Sequence, residues 1–173
     1  MAKLTLNPGM ESPQMISQKT KDILTKAADT SKNPVITINS GIRSPHRQAV
    51  AMYDNLEAGK RIAYAAPGRE VVKVYDDNKE KAKDEVIKWM VAKINELSAK
   101  EQRVSLHCVS EADYGKLNIV DVSKNMPNPR DFVKALIMDD AVTRVITPFA
   151  SVYNSTKVSV DGNEPAIHVE IKQ

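Results

Sequence analysis

The strongest ordering signal in this chain lies in residues 77–99. Val86, Met90, Val91, Ile94 and Leu97 recur there at steps of three and four between charged positions. That spacing stacks them on one face of an α-helix. A solvated charged helix carries no such stripe, so this segment needs a core to pack on. Elsewhere the period is two. Residues 35–39 (Val-Ile-Thr-Ile-Asn) and 117–123 (Leu-Asn-Ile-Val-Asp-Val-Ser) alternate with β-branched side chains, as half-buried strands do. The fold must therefore lay helices against a sheet.

The remaining segments extend this pattern. Residues 1–13 read as an irregular arm, broken by Pro8, Gly9 and Pro13. Residues 14–30 place Ile16, Ile23, Leu24, Ala27 and Ala28 near one helical face. Ser44-Pro45 is a helix start, with serine as N-cap and proline in the first turn, and Gly59 ends that helix. Residues 71–75 (Val-Val-Lys-Val-Tyr) and 103–107 read as short strands. Asn128-Pro129 opens another helix, which buries Phe132, Val133, Leu136 and Ile137. Residues 142–147, 157–160 and 166–171 are the last strand candidates, with Asp161-Gly162 as a hairpin turn between the final two. The order lacks regular βαβ alternation. The expected fold is a single α+β domain over residues 1–173, with a mostly antiparallel sheet flanked by helices.

Bulk properties narrow the function. A chain of 173 residues suits one domain with its own core. A net charge of +3 is too small to argue for nucleic acid. One cysteine, Cys108, excludes an intrachain disulfide and a cysteine-rich zinc knuckle. No apolar run approaches the length that spans a bilayer, so membrane insertion is not expected. The first residues lack the apolar stretch of a signal peptide, so synthesis in the cytoplasm without one is expected.

Chemistry concentrates in residues 105–123 and 164–170. His107 precedes a run carrying Asp121, and His168 sits on an apolar run near the C-terminus. Two imidazoles and a carboxylate, if they converge, can hold zinc with one position open, the arrangement of a catalytic site. A lone histidine on an apolar strand is more often a packed, hydrogen-bonded residue, so convergence is what matters. His46 is expected to face solvent, and Cys108 to be a core thiol.

Three stretches taken together resemble one family: Ser40-Gly-Ile-Arg-Ser44, then Ser105-Leu-His107 with Val120-Asp-Val122, then Glu164-Pro-Ala-Ile-His-Val169. They are similar to the zinc D-Ala-D-Ala carboxypeptidases and L-alanyl-D-glutamate endopeptidases of the hedgehog/DD-peptidase fold, which include phage lysins. The resemblance spans roughly residues 35–171. It implies a Zn2+ ligand set of His107, Asp121 and His168. It implies Glu164 as catalytic base, Arg43 as the group that binds the developing oxyanion or a substrate carboxylate, and Ser105 as a substrate-backbone contact. The departures are specific. Asp121 lies fourteen residues after His107, where the family has seven, and Asp113 lies six after it. Glu164 is four before His168 rather than three, Glu170 is two after it, and Ile42 replaces an aromatic. Asp113 and Glu111 therefore remain alternatives for the carboxylate ligand, and Glu170 for the base.

The implied activity is hydrolysis of an amide bond in peptidoglycan stem peptides, in the periplasm or cell wall after release or injection. An inhibitor or immunity protein would be a natural partner. The alternative is a non-catalytic cell-wall-binding or structural module of a phage particle or secretion system that keeps the fold. An anion-binding role for Arg43, Arg47, Lys60 and Arg61 ranks below both, because Gly59-Lys60 lacks the glycine-rich run of a phosphate loop.

Overall fold

The computed structural model describes residues 1–10, 12–108 and 111–173, without the side chains of Glu111 and Ala112. The chain is α+β and forms two compact units, Met1–Ile42 with Glu111–Gln173, and Arg43–Ser110.

The first unit is built on a six-stranded mixed sheet. Its strands are β1 (Lys3–Leu6), β2 (Val35–Ser40), β3 (Leu117–Val122), β4 (Val142–Thr147), β5 (Val158–Val160) and β6 (Ile167–Lys172), in the order β1-β2-β3-β6-β4-β5. The three inner pairings are antiparallel. The two outer ones, β1 with β2 and β4 with β5, are parallel. The expected irregular arm therefore contains a strand. Lys3–Leu6 pairs along β2, and the breakers Pro8, Gly9 and Pro13 fall after it. The expected β5–β6 hairpin does not form either. β5 turns back to lie parallel to β4, and Asp161 N–H donates to the Thr147 carbonyl.

Register gives the sheet two distinct faces. Val120 pairs with Val169 and Val122 with Ile167, and these side chains join Ile36, Ile38, Val145 and Ile171 in the core. Helices α1 (Gln18–Thr30) and α6 (Pro129–Ile137) bring Leu24, Ala28, Phe132, Val133 and Leu136 to the same core. Asn118 anchors the start of α1. Its side-chain oxygen accepts from Ser17 N–H at 2.8 Å and from the Thr20 hydroxyl at 3.0 Å, so this buried amide is satisfied. Residues 119, 121, 168 and 170 fall on the opposite face, because successive strand side chains alternate.

The short helix α5 (Glu111–Tyr114) leads into β3. Tyr114, fully buried, donates to the Ile119 carbonyl at 2.9 Å, and its hydroxyl sits beside Gly41, where a Cβ would lie 3.0 Å from it.

The second unit consists mainly of α2 (Pro45–Glu57), α3 (Ala66–Asn78) and α4 (Lys83–Ala99). Ser44 caps α2 as expected, its side chain accepting from Arg47 N–H at 3.2 Å. The α4 stripe of Val86, Met90, Ile94 and Leu97 packs with Met52, Leu56, Val71 and Tyr75. Residues 71–75 are thus helical, not a strand. Val71 and Tyr75, four apart, both face this core, and packing overrides the β-propensity of the run. Residues 103–107 are also not a strand. Cys108 N–H donates to the Ser105 carbonyl at 3.1 Å, which closes a turn, and His107 N–H lies 3.4 Å from Ser105 Oγ. Among the described residues no helix is long and apolar enough to cross a membrane.

Gly68 tests the packing in this unit. A Cβ there would lie 2.6 Å from Tyr64 Cβ and 2.9 Å from Tyr64 Cγ. Helix propensity alone favours alanine by about 1 kcal/mol. Overpacking of this kind costs about 1–3 kcal/mol. Gly68→Ala is expected to lower the denaturant midpoint, and an unchanged or higher midpoint would contradict the packing.

Candidate metal centre

Asp121 and His168 stand directly opposite each other across the β3–β6 ladder. His168 is 3% exposed, so its ring needs partners for both nitrogens. Nδ1 lies 3.1 Å from Asp121 Oδ1, and Nε2 lies 3.3 Å from Glu170 Oε1. Glu170 is two residues along the same strand, so its side chain projects from the same face.

Two irregularities in the sheet complete this arrangement. Between Ile38 and Ser40 the β2–β3 register shifts: Ile38 pairs with Val122, but Ser40 pairs with Asp121. A regular strand would put Ser40 on the core side with Ile38. The bulge turns it over, and its hydroxyl donates to Asp121 Oδ2 at 2.6 Å. The β4–β6 ladder shifts between Val142 and Arg144. Val142 stays in the core, while Arg144 NH1 lies 3.7 Å from Glu170 Oε1. Each carboxylate beside His168 thus has a polar partner delivered by a bulge. Neither Ser40 nor Arg144 was singled out from the sequence for this role, since period-two reading assigns both to the wrong face.

The electrostatics follow from these contacts. Burial opposes a charged imidazole, but the hydrogen bonds and charges of Asp121 and Glu170 outweigh it and hold the His168 pKa up at about 9.

One ligand atom each from His107, Asp121 and His168 lies within 4.8 Å of the other two. This is a candidate metal-binding triad of the expected composition. The donors suit zinc: two imidazoles and one carboxylate bind at about 2.0–2.2 Å, which sets tetrahedral ligand atoms roughly 3.3–3.5 Å apart. The 3.1 Å Asp121–His168 separation is already close to that edge.

The other expected residues are placed as follows. His107 lies in the turn closed by Ser105, and its carbonyl accepts from Arg43 N–H at 2.9 Å. The Arg43 guanidinium donates to Gln48 Oε1 at 3.1 Å. Ser105 is half-buried. Glu164 lies in the loop before β6, half-buried, with its carbonyl accepting from Lys124 Nζ at 3.2 Å. Asp113 does not join the triad; it is exposed on α5, 3.9 Å from Lys116 Nζ. The Glu111 side chain lies outside the described residues. His46 is exposed, and Cys108 is buried among the apolar side chains of its unit, as expected.

A pH dependence follows for the metal-free protein. A histidine whose folded pKa exceeds its unfolded value stabilises fully below the unfolded pKa, and that stabilisation is lost as pH rises through the folded value. With chelator present, stability is therefore expected to fall between about pH 6.5 and about pH 9. The loss is on the order of 3 kcal/mol. His168→Gln should flatten this part of the profile; an equal slope in wild type and variant would reject the assignment.

No protein-family model matches the chain, and neither a curated protein nor a solved structure does.

Proposed function

We propose that the chain is a zinc-dependent peptidase that hydrolyses an amide bond in peptidoglycan stem peptides. The convergence of His107, Asp121 and His168 to within 4.8 Å is the observation that carries this reading. The sequence resemblance to the zinc D-Ala-D-Ala peptidase group supplies the substrate class and the comparison with a hedgehog-type fold with a mostly antiparallel sheet.

When bound, zinc supplies Lewis acidity, polarising a carbonyl and acidifying water. Everything else falls to the side chains. Ser40 fixes the rotamer of Asp121 through the 2.6 Å hydrogen bond. Glu164 takes a proton from the attacking water and returns it to the leaving amine. Arg43 binds the carbonyl oxygen as it gains charge, or the substrate's terminal carboxylate. Ser105 contacts the peptide backbone. The peptide reaches the enzyme in the periplasm or wall, and an inhibitor or immunity protein would protect the producing cell.

One observation favours a second reading, a wall-binding or structural module without turnover. His168 has a carboxylate against each ring nitrogen, so these three side chains satisfy one another as a buried polar network.

Metal analysis and digestion of purified sacculi separate the two. The peptidase reading expects one zinc per chain, released stem-peptide fragments, and loss of both in Asp121→Ala. Glu164→Ala is expected to keep its zinc and lose about 10²–10⁴-fold in kcat, the usual contribution of a general base. A chain that takes up no stoichiometric zinc and leaves muropeptides uncut is not this enzyme.

A further inference from the structure

We propose that Glu170 is a positioning residue rather than a base: it accepts the His168 Nε2 proton and so presents Nδ1 to the metal. This rests on the metal-site reading above, and it assigns a role to a carboxylate that the proposed reaction leaves unused.

Three observations point the same way. First, the two ring nitrogens face different carboxylates. Nδ1 lies 3.1 Å from Asp121, a member of the triad, and Nε2 lies 3.3 Å from Glu170, which is not one. A metal shared with Asp121 therefore approaches from the Nδ1 side. The remaining nitrogen must then carry the proton, and a buried N–H needs an acceptor. Second, Glu170 is held in place. Its side chain is 11% exposed, and Arg144 lies 3.7 Å from the same oxygen that faces His168. The Thr143 hydroxyl donates to the Glu170 carbonyl at 3.2 Å, fixing the backbone at that point. Third, Arg144 reaches this face only because of the β4 bulge. Bulges re-aim side chains next to functional sites.

A carboxylate on the outer nitrogen of a ligating histidine sets its tautomer, orients the ring and raises its basicity. Loss of such a partner costs about 10–100-fold in metal affinity. A base would act differently, changing proton transfer without weakening the metal.

Two measurements test the assignment. The first is zinc titration of wild type, Glu170→Gln and Glu170→Ala against a chromophoric chelator. Wild type is expected to bind one zinc. Glu170→Ala should bind about 10–100-fold more weakly, and Glu170→Gln less weakly than that, because its amide oxygen still accepts. The second is a long-range proton–nitrogen correlation on zinc-loaded wild type, which reads the tautomer without any substitution. It is expected to show the His168 proton on Nε2. Wild-type zinc binding with a proton on Nδ1, or with affinity unchanged in Glu170→Ala, overturns the Glu170 role and leaves the metal site standing. Absence of zinc binding by wild type overturns both. Should Glu170→Ala fail to fold, the wild-type tautomer decides.

Discussion

The register of the β3–β6 ladder is the constraint on which the site depends. It sets Asp121 opposite His168 while setting Val120 opposite Val169 and Val122 opposite Ile167. The same alternation that sends the valines and Ile167 to the core sends the acid and the imidazole to the other face. A slip of one residue would turn both polar groups into the apolar core and the apolar side chains onto the polar face, so the hydrophobic core enforces the polar pairing. Core packing and site geometry are thus two results of one register.

The polar face is expensive to build. A nearly buried imidazole between two carboxylates is tolerable only if every partner is itself satisfied, since a half-paired network in low dielectric costs more than an apolar one. Ser40 completes Asp121, and Arg144 stands beside Glu170. Both arrive through bulges, at the two ladders that flank the β3–β6 pair. Stability comes from the opposite face, where α1 and α6 cover the valines and isoleucines. The main core and the polar cluster thus lie on opposite faces of the same sheet.

Much of this was legible locally. Ser44-Pro45, the α4 stripe and the β-branched runs of β3 and β6 declare themselves through caps and periods that depend on near neighbours alone. Asp121 could be picked out because a carboxylate inside Ile-Val-Asp-Val has a reason to be there. What escaped was set by distant partners. Residues 71–75 have strand chemistry but bury Val71 and Tyr75 at helical spacing. Asp161-Gly162 has hairpin chemistry, yet β5 found β4 instead of β6. Lys3–Leu6 has a parallel partner some thirty residues away, which no short window contains. Ser40 and Arg144 escaped for a further reason: a single extra residue in a strand inverts the period from which facing is read.

The discontinuity of the sheet-bearing unit has a consequence for assembly. Its two stretches are interrupted by residues 43–110, and the buried Tyr114 hydroxyl, bonded to the Ile119 carbonyl after the interruption, sits beside Gly41 just before it, where a Cβ would lie 3.0 Å away. Closing a flexible loop costs entropy that grows with the logarithm of its length. The α2–α4 segment has its own apolar cluster, so a chain that first collapses this insert has far less slack to gather when β2 meets β3. Tyr114 then acts as a clasp at the neck of the insert, so the order in which the parts condense bears on how readily the distal strands find their seam.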